Sequence, residues 1–411
     1  MNFEGLRTTQ GVDVSGKRVL VRVDFNVPIR DGIVTDATRI NRVAPCLLDL
    51  ASRGARVIVL SHFGRPKGQR NAEFTLQPVA EKMVEVLRQP VAFATDCIGP
   101  DAKAVIDNLQ PGQFALLENL RFHAGEEKDD AAFTKALAEN GDIYVGEAFS
   151  SSHRAHASTH AITEHLPSYA GPLMMEEITA LRRALEEPER PTVAVVGGAK
   201  VSTKIPILTN LVEKVDNLII GGGMANTFLQ AQGIEVGRSL SEPDFAQTAR
   251  DIIEKAKAQN CTILLPDDIV VAREFKVGAA SQAVPVDQCP ADSMILDVGP
   301  VTVANLTKAI AACKTLLWNG PLGAFEISPF GTGTFALAQE AAALSRAGKL
   351  VSVAGGGDTV AALNASGPTV TKDFTYVSTA GGAFLEWLEG RELPGVTALA
   401  RAHAPSTTSS L

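Results

Sequence analysis

Short apolar, β-branched runs alternate along the chain with longer segments whose apolar residues recur every three or four positions. The runs that we assign to strands in the first part of the chain are 17–25, 55–63, 114–122 and 141–149. Segments with the helical spacing include 38–54 and 129–140. This alternation is typical of a parallel sheet covered by helices.

The second part of the chain repeats the alternation, but a glycine pair now separates each strand from the helix that follows. Four such joints lie at 191–200, 216–225, 349–359 and 374–384. Because their spacing is irregular, we interpret them as units of one parallel sheet and not as a tandem repeat.

A segment with helical spacing lies between the two parts, after Gly171-Pro172 and before Pro191. We predict an α/β protein with two parallel-sheet domains, since 411 residues are too many for one ordinary core. The predicted boundaries are 1–170 for the N-terminal domain, 171–190 for an interdomain helix, 191–390 for the C-terminal domain and 391–411 for a C-terminal segment.

Composition and charge limit the class of protein. No apolar run approaches the ~20 residues that span a bilayer, and the N-terminus has no basic start followed by an apolar stretch. The five cysteines are far apart and include no CxxC pair, which disfavours zinc and indicates free thiols in a reducing cytoplasm. A net charge of −8 argues against nucleic-acid and membrane partners.

Basic and polar residues follow the predicted strands of the first part, at the sheet edge where α/β proteins bind ligands. The segments in question are DFN (24–26), SHFGRPKG (61–68), LRFH (120–123) and SSSHRAH (150–156), with Arg39 shortly after the first. One such arginine would be a solvated loop residue. Four converging strand ends, rich in the side chains that match carboxylate or phosphate oxygens, indicate a site for a small anion.

The glycine joints of the second part would let the backbone approach a phosphate at a helix N-terminus, although each alone could be a tight turn. Lys200 and Lys204 stand at one joint, where a helix from Val201 would repel them unless an anion binds. Asp358-Thr359 stands at another, where Asp358 could hold Mg²⁺ or cap the helix. Neither a P-loop nor a complete GxGxxG occurs. Together the two parts indicate phosphoryl transfer across a cleft.

Eight motifs now identify the chain as similar to the phosphoglycerate kinase family, from about residue 17 to 395. They are RVDFNVP, SHFGRPKG, ENLRFHAGEEK, HRAHAS, VVGGAKVSTKI, IIGGGMANTFL, WNGPLGAFE and AGGGDTVAAL. The resemblance implies two Rossmann-like domains with parallel sheets facing a cleft, with the C-terminal segment returning to the N-terminal domain. It also implies reversible glycolytic transfer from 1,3-bisphosphoglycerate to MgADP, giving 3-phosphoglycerate and MgATP, in line after hinge closure, by a monomer.

The same resemblance assigns residues to three groups. The 3-phosphoglycerate group is Asp24, Phe25, Asn26, Arg39, His62, Phe63, Gly64, Arg65, Arg121 and Arg154. The nucleotide group is Lys204, Gly221, Gly222, Asn319, Glu326, Gly356, Gly357, Asp358 and Thr359, with Mg²⁺ at Asp358. The catalytic group is Arg39, Lys200, Gly381 and Gly382.

The chain departs from the family pattern at a few positions. Gly146-Glu147 replaces Asn-Asp and Ser150–Ser152 replaces Gly-Thr-Ala, both close to Arg154. Ala380 replaces a glycine and would cost roughly 1–2 kcal/mol if its φ were positive. Val301 replaces a charged residue and is expected to be harmless.

Two other functions compete with this interpretation. A catalytically silent paralogue could bind a phosphate metabolite or a partner protein, but it would not need Arg39, Lys200, Lys204 and Asp358 together. A different acyl-phosphate kinase would not explain so many basic residues on the acceptor side.

Overall fold

The computed structural model describes residues 5–402, which form two compact units. The described residues up to Glu177 and those from Glu392 onwards form the first unit, and Ile178–Arg391 form the second. Of the predicted C-terminal segment, residues 403–411 lie outside the described part. None of the described helices has the length and apolar character needed to cross a bilayer.

The first unit is built on a six-stranded parallel sheet. The strands of this unit are β1 (Arg18–Arg22), β2 (Ile29–Arg30), β3 (Ile33–Val34), β4 (Arg56–Leu60), β5 (Val91–Ala94), β6 (Phe114–Leu117), β7 (Ile143–Gly146) and β8 (Ser168–Ala170). Its helices are α1 (Thr38–Ser52), α2 (Gln77–Leu87), α3 (Gly99–Asp107), α4 (Ala124–Glu127), α5 (Ala131–Ala138) and the start of α6 (Pro172–Leu181). The sheet order is β5-β6-β4-β1-β7-β8, and β2 and β3 form a separate hairpin.

Apolar spacing explains how the first unit is held together. Helix α1 buries Ile40, Val43, Leu47 and Leu50, which recur at the three- and four-residue intervals of one helix face. This face packs in one core with the valines of β1 and β4, whose strands are buried almost throughout. The four runs predicted as strands are β1, β4, β6 and β7, which confirms the parallel sheet of this part.

The second unit contains a second six-stranded parallel sheet and a small antiparallel one. Its strands are β9 (Thr192–Val196), β10 (Asn217–Ile220), β11 (Thr262–Leu264), β12 (Asp268–Ala272), β13 (Ser281–Pro285), β14 (Met294–Val298), β15 (Thr315–Asn319), β16 (Val351–Gly355) and β17 (Tyr376–Ser378). Its helices are α7 (Ile205–Leu211), α8 (Gly223–Ala231), α9 (Ala246–Ala258), α10 (Pro300–Ala311), α11 (Thr332–Arg346), α12 (Gly357–Ser366), α13 (Val370–Asp373) and α14 (Gly382–Leu388), while α15 (Pro394–Arg401) belongs to the first unit.

The parallel sheet of the second unit has the order β11-β10-β9-β15-β16-β17. All four predicted glycine joints lie in it, at the ends of β9, β10, β16 and β17, as expected from the sequence. The antiparallel sheet β13-β12-β14 was not predicted. Helix α6 continues as a π-helical turn, Arg182–Glu186, within the segment predicted to join the domains.

Glu147, one of the departures from the family pattern, lies inside the first unit with 4% of its surface exposed. Its Oε2 accepts hydrogen bonds from the N–H groups of Leu173 (2.9 Å) and Met174 (3.2 Å), in the first turn of α6. A Cβ at Gly171 would lie 2.3 Å from Glu147 Cδ, so the glycine makes room for this carboxyl. Burial raises the pKa of Glu147 to about 7, although the N–H donors and the Cys46 thiol oppose the shift. Glu147 therefore caps the N-terminus of α6, and the free-energy cost of burying this side chain is higher when the carboxyl is ionised.

Replacing Glu147 by glutamine tests this cap. The folded-state pKa of about 7 exceeds the ordinary 4.5, so the carboxyl's contribution to stability is complete below about pH 4.5 and is lost as the pH rises through 7. An amide cannot ionise, so Glu147→Gln should be more stable than wild type at pH 8 by about 1–3 kcal/mol and lose that advantage near pH 4.5. Urea unfolding at three pH values measures the difference in the free energy of unfolding. Glu176→Gln, the same change within helix α6, is the control. A difference that stays constant with pH would contradict it.

Candidate functional site

The loops after three neighbouring strands, β4, β1 and β7, bring the predicted acceptor residues together. Asp24 and Asn26 follow β1, His62 follows β4, and Ser150 lies in a short turn after β7. The side chain of Phe25 is fully buried in the core of the unit, so only its backbone can face a ligand.

Asp24 is the centre of this cluster. Its Oδ2 lies 2.5 Å from Arg39 Nη1 and accepts a 2.5 Å hydrogen bond from the Ser150 hydroxyl. Its Oδ1 accepts the Asn26 N–H at 3.0 Å and lies 3.9 Å from His62 Nε2. Burial alone would raise the pKa of Asp24, but these neighbours outweigh it and lower the pKa to about 2. Asp24 is therefore ionised, and a carboxylate of the protein itself holds Arg39.

His62 is positioned by Arg22, an arginine that ends β1 and is 1% exposed. Arg22 Nη2 lies 3.3 Å from His62 Nδ1. A guanidinium can only donate, so Nδ1 is the acceptor and the ring carries its proton on Nε2. Burial and the charge of Arg22 hold the pKa of His62 well below its ordinary value, which keeps the ring neutral. His62 therefore offers an N–H donor on the side of Asp24.

The buried charge of Arg22 is compensated within the first unit. Its Nε donates to Ser158 Oγ at 2.7 Å, and the same hydroxyl donates to Glu126 Oε1 at 2.6 Å. Arg22 Nη2 also lies 3.8 Å from Glu126 Oε1, and Glu126 is completely buried. The three side chains form a fully buried network behind His62, in which each charged group has a hydrogen-bond partner.

Asn119 positions Arg121 and the backbone of the loop after β4. Its Oδ1 accepts the N–H groups of Phe63 (3.1 Å) and Arg121 (3.0 Å), and its Nδ2 donates to the Phe63 carbonyl at 2.7 Å. Arg121 Nη1 donates to the Gly64 carbonyl at 2.9 Å, and Asn26 Oδ1 accepts the Gly64 N–H at 3.0 Å. The loop is thus held from two sides, with its polar groups at the sheet edge.

Arg65 and Arg154, also predicted for this site, are exposed. Within residues 5–402, no hydrogen bond or ion pair joins either of them to Asp24. Burial, followed by the charges of Arg22, Arg121 and Arg154, lowers the pKa of His156 to about 4. Three guanidinium groups of this unit therefore act on one neutral histidine.

The two lysines of the first glycine joint have different surroundings. The α-helix begins at Ile205 and not at Val201, because 201–203 form a 3₁₀ turn. Lys200 is exposed, whereas Lys204 is half-buried and its Nζ contacts Asn319 Oδ1. Burial lowers the pKa of Lys204, and the charge of Asp358 opposes that shift. Only Lys204 is therefore built into the interior of the site.

An anion of the protein already stands at the 3₁₀ turn. The Glu242 carboxylate accepts the Ser202 N–H at 2.9 Å and the Ser202 hydroxyl at 2.6 Å. Burial would raise the pKa of Glu242, but these bonds and the charge of Lys200 hold it below its ordinary value. Glu242 therefore offsets part of the positive charge that the sequence places here.

The joint before α12 is held by Asn319. Asn319 Nδ2 donates to the Gly355 carbonyl at 2.8 Å, and Thr359 Oγ1 accepts the Gly320 N–H at 2.7 Å. Gly356 has φ +99°, and a Cβ there would lie 2.6 Å from Asn319 Nδ2. The ends of β15 and β16 are thereby tied to each other. The first turn of α12 has no side-chain cap, so its N–H groups are available to an anion.

Gly221 and Gly222 have a packing role in addition to any ligand contact. A Cβ on Gly222, where φ is +69°, would lie 2.6 Å from the Gly198 carbonyl oxygen, and one on Gly221 would lie 2.4 Å from Leu322 Cδ2. The Gly222 N–H donates to the Leu322 carbonyl at 2.8 Å. These glycines let three loops meet at the sheet edge.

Ala380 does not adopt a positive φ, so the strain considered from the sequence does not arise. It is buried, and its N–H donates to Ser378 Oγ at 3.1 Å. Gly381 has φ +53° and precedes Gly382, the first residue of α14. Glu326, predicted for the nucleotide, is exposed.

Asp96, Cys97 and His123 are the one group of metal-type ligands that lies close together in the described residues. His123 Nε2 lies 2.6 Å from Asp96 Oδ1, and Arg70 Nη2 lies 3.1 Å from Asp96 Oδ2. Burial raises the pKa of the Cys97 thiol well above its ordinary value. A protonated thiol and a carboxylate already paired with a guanidinium are poor ligands for a cation.

A donor-rich cluster in one α/β unit, and an open helix N-terminus beside a lysine in the other, are features that a phosphotransferase with two anionic ligands requires. The family model for phosphoglycerate kinase matches residues 9–391. The chain therefore belongs to the phosphoglycerate kinase family. It is a glycolytic kinase that uses ADP and ATP, and its reaction is phosphoryl transfer between 1,3-bisphosphoglycerate and ADP, giving 3-phosphoglycerate and ATP.

Relatives cover almost the whole chain. The phosphoglycerate kinase of Methylorubrum extorquens strain PA1 is 61% identical over 386 residues, 94% of this chain and 96% of the relative. That of Agrobacterium fabrum strain C58 is 59% identical over 390 residues, 95% of this chain and 97% of the relative. The solved structure of phosphoglycerate kinase from Coxiella burnetii is 42% identical, with a TM-score of 0.90 over 97% of this chain and 100% of that one.

The sequence did not predict three residues that position other groups of the site, namely Arg22, Asn119 and Glu242. A signal for Arg22 exists, because a charge stands inside the apolar run RVLVRVDF, where it must be buried and paired. Asn119 and Glu242 give no comparable signal, since their partners are backbone groups or a serine distant in sequence.

Long-range ¹H–¹⁵N spectra test the state of His62. We expect an unprotonated Nδ1, a protonated Nε2 and no titration near the ordinary histidine pKa of 6.5, because burial and Arg22 hold the pKa of this ring well below that value. The variant His62→Gln identifies the resonances. A His62 ring that titrates near pH 6.5, or that carries its proton on Nδ1, would contradict this geometry.

Proposed function

We propose that the Asp24 cluster of the first unit holds 3-phosphoglycerate and that the joints around Lys204 and α12 hold the nucleotide. The observation that carries the proposal is the donor set of the first unit. Guanidinium and imidazole donors converge there, as the carboxylate and phosphate of 3-phosphoglycerate require. The acceptor residues are those predicted: Asp24, Phe25, Asn26, Arg39, His62, Phe63, Gly64, Arg65, Arg121 and Arg154.

Three residues of the proposed 3-phosphoglycerate site suit different parts of the substrate. Asp24 is the one carboxylate of the site, and because its pKa is low it can accept a hydrogen bond from the substrate's single hydroxyl. The neutral His62 ring can donate a hydrogen bond to the substrate through its Nε2–H, and the ring stays uncharged. Arg39 is 37% exposed at its side chain and can exchange Asp24 for the acyl phosphate, where its charge stabilises the transferring phosphoryl.

The nucleotide would be held by Lys204, Gly221, Gly222, Asn319, Glu326, Gly356, Gly357, Asp358 and Thr359. Lys204 is held near the α12 N-terminus by Asn319, so its charge and the free N–H groups act on the same phosphates. Lys200 is exposed and is proposed to meet the phosphoryl in transfer, with Gly381 and Gly382 beside it.

Asp358 fits Mg²⁺ because it is an exposed carboxylate in the first turn of α12, next to open backbone at Gly357. A single protein carboxylate is a usual share for this ion, which keeps waters and binds substrate phosphates. When bound, Mg²⁺ would neutralise charge on the nucleotide phosphates. The proposed acceptor and nucleotide residues belong to different units, so we propose hinge closure to align the ligands, by a monomer in the cytoplasm.

Arg39→Ala tests the acceptor half. We expect ATP formation from 1,3-bisphosphoglycerate and MgADP to fall by about 10²–10³-fold, because the variant lacks the positive charge that stabilises the transferring phosphoryl. Arg42→Ala, which removes a half-buried arginine of the same helix paired with Glu176, is the matched control and should stay within about twofold of wild type. An active enzyme that does not respond to Arg39→Ala would overturn the proposed mechanism.

Lys200→Met and Lys204→Met together test the nucleotide half. Lys200→Met should reduce kcat by about 100-fold or more while changing the Kd for ADP by less than about threefold, because its charge acts on the moving phosphoryl. Lys204→Met should weaken ADP binding by about tenfold or more. Steady-state kinetics and calorimetry measure the two effects. Equal losses of ADP affinity in both variants would mean that the lysines share one role.

A further inference from the structure

Ser150 shares one oxygen of Asp24 with Arg39. Its hydroxyl donates to Asp24 Oδ2 at 2.5 Å, and Arg39 Nη1 lies 2.5 Å from the same oxygen. Ser150 belongs to the short turn Phe149–Ser151 after β7, and Asp24 to the loop after the neighbouring strand β1. The contact therefore joins two loops of the sheet edge at the one carboxylate of the Asp24 cluster.

The shared oxygen has a consequence for Arg39. A carboxylate oxygen offers two lone pairs, and here the guanidinium and the hydroxyl occupy them. The Nη1 group of Arg39 must therefore leave Asp24 before it can bind an anionic ligand. The Oδ2 atom of a carboxylate whose side chain is 14% exposed would then lose its cation, and leaving this oxygen without a donor is costly. The Ser150 hydroxyl stays on Oδ2 and supplies that donor.

We propose that Ser150 is a positioning residue that lowers the cost of releasing Arg39 from Asp24 to the substrate. The inference rests on the proposed function, since it takes the carboxylate of 3-phosphoglycerate, which bears the acyl phosphate in 1,3-bisphosphoglycerate, as the anion that Arg39 meets. Ser150 touches no reacting atom and acts through Asp24. Its effect therefore belongs to the binding of 3-phosphoglycerate and not to the transfer step at saturation.

Ser150→Ala is the first test. We expect the Kd for 3-phosphoglycerate, measured by calorimetry without nucleotide, to rise about five- to tenfold, the scale of one hydrogen bond to a charged group. At saturating substrates kcat should change less than about twofold, because Arg39 has already been released. Ser150→Thr keeps the hydroxyl and should restore the wild-type Kd. Ser151→Ala, the same change one residue on, is the control and should leave Kd and melting temperature as in wild type.

The double variant Ser150→Ala/Arg39→Ala separates this role from a structural one. Without Arg39 there is nothing to release, so Ser150→Ala should alter the Kd in that background by less than about twofold. An equal rise with and without Arg39 would overturn the inference, and so would an unchanged or tighter Kd in Ser150→Ala alone. If Arg39→Ala alone leaves turnover and 3-phosphoglycerate binding intact, the proposed function fails, whatever Ser150 does.

Discussion

The acceptor site depends on one buried cation, Arg22 at the end of β1. A guanidinium that is 1% exposed is tolerable only when its donors are used, and here they reach His62, Ser158 and the Val23 carbonyl, with Glu126 as the nearby anion. This network fixes the tautomer of His62 and joins the ends of β1 and β4 to the segment around Ser158. The polar groups of the site are therefore set by a charge that no substrate needs to touch.

Anions of the protein hold the cations of both units. Asp24 holds Arg39, Glu242 lies at the turn beside Lys200, and Asp358 acts on Lys204 together with the Asn319 amide. Two lysines at a predicted helix start are an electrostatic anomaly in the sequence, and these partners offset part of their positive charge. In the proposed function, phosphate binding is an exchange of partners, in which each cation moves from an anion of the protein to an anion of the ligand.

Much of this could be predicted from the sequence because it depends on local periodicity and on where strands end. The parallel sheets, the glycine joints and the residues of the Asp24 cluster belong to that class. The Glu147 cap on α6, the Ser150 contact to Asp24 and the role of Arg22 could not be predicted, since each joins residues far apart in the chain. The sequence suggested a helix from Val201, but the α-helix begins at Ile205. Val201–Thr203 adopt a 3₁₀ turn, which apolar spacing cannot distinguish from an α-helical turn.

The central claim is that the Asp24 cluster of the first unit recognises the phosphate and carboxylate of 3-phosphoglycerate. Titration calorimetry of wild-type protein with 3-phosphoglycerate and with glycerate, at fixed ionic strength and without nucleotide, tests it directly. The account predicts that 3-phosphoglycerate binds, that sulfate competes with it, and that glycerate binds at least about 100-fold more weakly for lack of the phosphate. Equal affinity for the two acids, or no 3-phosphoglycerate binding in the absence of nucleotide, would contradict it.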